Sequence, residues 1–205
     1  AAGKVPIDLE ALPVDLMSLT AHKFYGPKGI GALYLAERAG CYVEPLLFGG
    51  GQQRRLRPGT LPTELIAGLG MAAEIAAGRM DADLAHLGAL RSTFLDGIAG
   101  LDGTLLNGDP EGFPGILNLS AKGVEGESLL LAIEPLQVAT GSACNAKSGE
   151  PSYVLRALGR SDKEAQSAIR FSFGRPTTER EVRFAAERYR AAVSRLRELA
   201  PGRAA

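Results

Sequence analysis

Cysteine is scarce in this chain: 205 residues hold two, Cys41 and Cys144, about a hundred positions apart. No Cys-x-x-Cys pair and no Cys/His ligand spacing occurs, which excludes a disulfide framework and gives no structural metal site, zinc included. Net charge is also missing: 23 basic and 23 acidic side chains cancel. A neutral chain has no general electrostatic pull toward nucleic acid or an acidic membrane. No apolar run approaches the ~20 residues needed to span a bilayer, and the start, Ala1 to Pro6, has no apolar signal core. The expectation is a cytoplasmic protein, since free thiols survive there. Internal repeats and low-complexity blocks are absent as well. What remains is an ordinary globular balance, 45% apolar and 22% charged, with length enough for a real core.

The first sixty residues read as short strands and loops. Asp15 to Leu19 is a plausible strand, and the nearly all-apolar run Ile30 to Leu35 suits a strand covered on both faces. A helix follows, with Pro62 tolerated in its first turn. Leu65, Leu69, Ala72 and Ala76 share one face, and helical spacing resumes from Asp81 to about Ile98 through Leu84, Leu87, Leu90 and Phe94. Such a connector predicts two domains, residues 1–80 and 81–205, with the helix carrying the chain between them. Farther on, Gly115 to Ser120 reads as a strand and Glu127 to Glu134 as a helix. Pro151 to Ala157 reads as a short helix stopped by Gly159. Ser161/Glu164 and Thr178/Glu181 have capping-box spacing. Ile169, Phe171 and Phe173 alternate with Arg170, which predicts a strand with Arg170 facing away from the core. Val182, Ala186, Tyr189, Val193 and Leu196 mark a final amphipathic helix.

Three segments carry candidate chemistry. In Thr20-Ala21-His22-Lys23-Phe24-Tyr25-Gly26-Pro27-Lys28-Gly29 a hydroxyl and an imidazole precede a lysine at a strand end. A lysine that binds a carbonyl cofactor needs a fixed position and phosphate donors nearby. Read alone, the segment is first a solvated polar loop with two ordinary lysines. Gly49 to Thr60 sets Arg54, Arg55 and Arg57 beside flexible backbone; such a loop can hold phosphate or carboxylate, or simply be solvated. It lacks the Gly-Lys-Ser/Thr ending of a Walker A loop. Ala139 to Leu155 places Cys144 among small and polar residues, where a thiol can be accessible or merely structural. Cys41, in a Tyr/Val neighbourhood, reads as structural. Arg170 needs an anionic partner or solvent, and a salt bridge would serve. Arg175 and His86 read as structural.

His-Lys followed by Gly-Pro-Lys-Gly resembles the pyridoxal-phosphate segment of the class V aminotransferase group. Gly-Ser-Ala-Cys, a short loop, then Glu-Pro-Ser-Tyr-Val-Leu-Arg-Ala-Leu-Gly is similar to cysteine desulfurases of the iron–sulfur-assembly and nitrogen-fixation type. The resemblance implies an α/β chain: the C-terminal part of a fold type I pyridoxal-phosphate-dependent transferase, comprising the end of the large domain and the small α+β domain. It further implies pyridoxal 5′-phosphate on Lys23, with Thr20 and His22 at its phosphate. Thr60 would reach the phosphate of a neighbouring subunit, hence a homodimer. Arg170 would hold the substrate carboxylate, with Asn118 lining the pocket, and Cys144 would accept sulfur from L-cysteine. An iron–sulfur scaffold or another sulfur acceptor would be the partner. A selenocysteine lyase, an aminotransferase-like enzyme or an inactive scaffold-binding module are the rival readings. In relatives, an aspartate facing the pyridine nitrogen precedes the position of Ala1, so the 205 residues alone are expected to be inactive. Arg55 and Pro58 stand where small residues are common in relatives.

Overall fold

The computed structural model describes residues 1–140 and 151–200, and for residues 40–42 the backbone alone. The chain forms two compact units, Ala1–Ala82 and Asp83–Ala205.

In the first unit, β1 (Leu16–Thr20) pairs antiparallel with β2 (Gly31–Leu35), Thr20 opposite Gly31 and Leu16 opposite Leu35. The expected double-sided burial of β2 is not met: Leu33 is 56% exposed. An unbroken apolar run signals covering on both faces, and the described residues give β2 a single partner strand. Helix α1 (Thr63–Gly97) follows as one continuous helix of 35 residues, not two stretches resuming at Asp81. Alanine-rich sequence tolerates Gly78 without a break. Pro62 precedes the first turn, and its carbonyl accepts from the Leu65 and Ile66 amides at 3.1 and 3.0 Å. Ala72 and Ala76 are buried and pack the expected stripe, while the division between the units falls inside α1.

The second unit is built on an antiparallel sheet in the order β3-β4-β6-β5. Its strands are β3 (Thr104–Asn107), β4 (Ile116–Ala121), β5 (Ala139–Thr140) and β6 (Ile169–Ser172). Side chains alternate across the pleat. Leu117, Leu119, Ile169 and Phe171 form a buried face that packs with Leu87, Leu90 and Phe94 of α1. The final helix α5 (Glu179–Leu199) closes the same core with Val182, Ala186, Tyr189 and Val193, all from the expected stripe. Gly97 allows a close approach, because a Cβ there would lie 2.6 Å from that of Ala186. Arg190 fixes the end of α1 by donating from Nε to the Gly97 carbonyl at 2.9 Å. Burial pushes the pKa of the Tyr189 hydroxyl up to about 12, against the opposing pull of the Arg197 charge.

Three short helices complete the unit: α2 (Gly126–Ala132), α3 (Tyr153–Ala157) and α4 (Asp162–Gln166). Both expected capping boxes are present, at α4 and α5. A third cap was missed: Glu125 starts α2 by accepting from the Ser128 and Glu127 amides at 2.7 and 2.9 Å. These backbone donors stabilise carboxylates, so the pKa values of Glu125, Glu164 and Glu181 are all lowered. The unfolded chain therefore binds more protons than the folded one just below the ordinary carboxylate pKa of about 4.3. The stability they contribute is complete above that value and is lost as pH falls through the lowered ones. Urea midpoints between pH 2 and 7 should show this acid limb, and Glu181→Gln should flatten it.

Candidate functional site

β1 ends at Thr20, and Ala21–Phe24 forms a tight 3₁₀ turn. Ala21 and Phe24 are buried with Ala72 of α1, which leaves the two residues between them, His22 and Lys23, exposed. Tyr25 ends the turn in the left-handed region, φ 70°, and the Gly26 amide donates back to the Ala21 carbonyl at 2.9 Å. Thr20 Oγ1 lies 3.0 Å from His22 Nδ1, so the two residues expected at a phosphate, three and one positions before Lys23, are in contact. Among the described residues Lys23 has no ion-pair or hydrogen-bond partner.

The arginine loop takes a shape its sequence did not announce. Gln53, Arg54 and Arg55 have φ of 46°, 56° and 64°, three consecutive non-glycine residues in the left-handed region. Each costs about 1–2 kcal/mol relative to glycine there. The Gly59 amide donates to Gln52 Oε1 at 3.1 Å and closes the loop. Thr60 is exposed at its end and shares no hydrogen bond with Thr20 or His22 among the described residues.

In the second unit, Asn118 and Arg170 are direct cross-strand partners of β4 and β6. They stand on the sheet face opposite the core, Arg170 exposed as the alternation implied. The salt bridge that Arg170 could have served is absent among the described residues. Arg175 does have one, to Asp83 at 2.6 Å, and His86 Nε2 lies 3.0 Å from the Thr177 carbonyl oxygen, so both are structural. Two residues escaped notice in the sequence, Asn107 and Arg160. Arg160 Nε donates to Asn107 Oδ1 at 2.5 Å, and Asn107 Nδ2 donates to Asn118 Oδ1 at 2.7 Å. Their only sequence signal is polarity beside the turn glycines Gly108 and Gly159. Cys144 lies outside the described residues, and the Cys41 side chain is likewise not described.

The first unit thus offers an exposed lysine beside a hydroxyl–imidazole pair, and the second an exposed arginine on its sheet. The chain belongs to the family described as Aminotransferase class-V, whose profile matches residues 1–184. Within it, the chain is 52% identical over 202 residues to the cysteine desulfurase IscS of Neisseria meningitidis serogroup A, covering 98% of this chain and 50% of that protein. IscS of Klebsiella pneumoniae is 50% identical over the same length and coverage. A solved structure titled NifS-like protein superposes with a TM-score of 0.81 at 35% identity, over 96% of this chain and 50% of that one. Another, SspA in complex with cysteine, matches at 33% identity and TM-score 0.68, over 85% of this chain and 48% of that one. The chain thus spans about half the length of the curated relatives it matches, and its architecture is that of the C-terminal part of a fold type I transferase. Enzymes of this family depend in general on pyridoxal phosphate.

Proposed function

We propose that this chain is the part of a cysteine desulfurase that carries both its cofactor lysine and its sulfur-accepting thiol. Residues 1–80 would close the cofactor-binding domain and residues 81–205 would form the small domain. The observation that most supports the reading is 52% identity to a desulfurase across 98% of the chain. That span includes both the Lys23 and the Cys144 segments.

The residues present fit pyridoxal phosphate. Lys23 offers an amine with no competing ion pair among the described residues, and Thr20 with His22 offers a hydroxyl and an imidazole to a phosphate. When bound, the cofactor supplies an electron sink that makes the substrate sulfur open to attack. Lys23 holds the cofactor and moves the proton at the substrate α-carbon. Arg170 and Asn118 hold the substrate carboxylate and so fix the orientation of that carbon. Cys144 thiolate attacks the sulfur of L-cysteine. An S–S bond forms as the C–S bond breaks, and the carbon fragment keeps the electron pair and gains a proton. L-Cysteine and the Cys144 thiol become L-alanine and a Cys144 persulfide. Thr60 serves the phosphate of a second subunit in a homodimer, and the persulfide passes to an iron–sulfur scaffold or another acceptor in the cytoplasm.

These 205 residues cover 50% of the length of the desulfurase they match. The isolated chain should therefore make alanine at background rate, and supplying the N-terminal half of a relative should restore turnover. In that complemented protein, Cys144→Ala should keep the cofactor absorbance while persulfide and alanine fall to background. Full sulfide release by Cys144→Ala would refute the proposal.

A further inference from the structure

One row across the sheet of the second unit reads Asn107, Asn118, Arg170, Ala139, from β3 through β4 and β6 to β5. The four residues share the face away from the core. Asn107 is 8% exposed and Ser120, next on the same face of β4, is fully buried. Arg170 is exposed, flanked on β5 by an alanine too small to cover it.

The hydrogen bonds along this row have a direction, and Arg160 sets it. A guanidinium carries donors and no acceptor. The Asn107 atom that meets Arg160 Nε at 2.5 Å must therefore be its oxygen. A second donation, from Arg160 Nη2 to the Leu106 carbonyl at 2.7 Å, fixes the guanidinium against β3. With its oxygen so engaged, Asn107 presents its amide nitrogen to β4. That nitrogen donates to Asn118 Oδ1 at 2.7 Å and to Ser120 Oγ at 2.8 Å. Asn118 must then turn its oxygen toward β3. Its own amide nitrogen is left for the other side, where Arg170 stands opposite it in register.

We infer that Arg160 and Asn107 are positioning residues that hold Asn118 in the one amide orientation that makes Asn118 and Arg170 an all-donor pair. Such a pair suits a carboxylate: a guanidinium supplies the charge and a neutral amide supplies a second donor with no oxygen to repel the ligand. A flipped Asn118 would set a carbonyl oxygen beside the bound carboxylate. That the carboxylate belongs to an amino acid rests on the function proposed above; the amide polarity does not.

The test uses the full 205-residue chain, labelled for NMR. In the wild type, the Asn118 side-chain amide protons should show Overhauser contacts to the Arg170 side chain. Arg160→Leu should weaken these contacts at least twofold, and Arg160→Lys, which keeps a donor, should restore them. Asn107→Asp places oxygen where the donor was, so Asn118 should turn its nitrogen inward and the contacts should vanish. A purely structural role for Arg160 would lower the unfolding midpoint without changing this pattern. Contacts undiminished in Arg160→Leu and Asn107→Asp, or absent in the wild type, overturn the inference. Titration with L-alanine forms a separate arm. If it binds, Arg160→Leu should weaken its Kd about tenfold, the worth of one hydrogen bond to a charged group, and Arg160→Lys should not. The wild-type contact pattern with no response to L-alanine at Asn118 or Arg170 would count against the amino-acid reading and leave the polarity established.

Discussion

Alanine in place of Lys23 is expected to remove the visible absorbance of lysine-bound pyridoxal phosphate and to cut alanine formation in the complemented protein by about 10²–10⁴-fold, the worth of a positioned acid–base group. The structural grounds are local. Burial of Ala21 and Phe24 pins the turn at both ends, so position 23 is held outward and cannot exchange places with a neighbour. Lys28, five residues later and also exposed, provides the control: Lys28→Ala should leave both readouts within about twofold, as surface changes away from a site commonly do. Borohydride trapping of the cofactor followed by peptide mass analysis would assign the attachment. Cofactor on Lys28, or equal labelling of both lysines, would contradict the placement.

The largest effect on stability is expected from Phe94→Ala. Phe94 is fully buried, with ring centroids of Phe171, Phe173 and Tyr189 at 4.6, 6.1 and 6.2 Å. It joins α1 to both the sheet and α5, and its removal leaves a cavity whose walls belong to three elements. Such truncations cost about 3–5 kcal/mol. Chemical denaturation followed by the near-ultraviolet signal of the aromatic cluster measures this. A loss below about 1 kcal/mol would mean the cavity collapses freely, which the converging rings argue against.

Most of the second unit was legible because its elements carry strong local signals. Ile169, Arg170 and Phe171 alternate as a half-buried strand must. Thr178 and Glu181 announce the start of α5 through a reciprocal pair of hydrogen bonds. The candidate site was readable as motifs rather than as geometry: resemblance singled out Thr20 and His22, and their contact at 3.0 Å is a product of the turn. The β2 run misled, since apolar sequence records the burial a strand requires and not whether these residues supply it. Arg160 and Asn107 were invisible because each is an ordinary polar residue by a glycine turn. Their meaning arises only when the register sets β3 beside β4 and the loop before α4 against β3. The left-handed Gln53–Arg55 turn was hidden for a similar reason, since no glycine marks it.

Sulfur transfer itself offers the most direct check. The complemented protein would be incubated with sulfur-labelled L-cysteine, digested without reductant, and the two cysteine peptides of this chain separated. The account predicts one labelled sulfur atom on the peptide containing Cys144, dependent on Lys23, and none on the peptide containing Cys41. Alanine formed with the label on Cys41, or with neither peptide labelled, would contradict it.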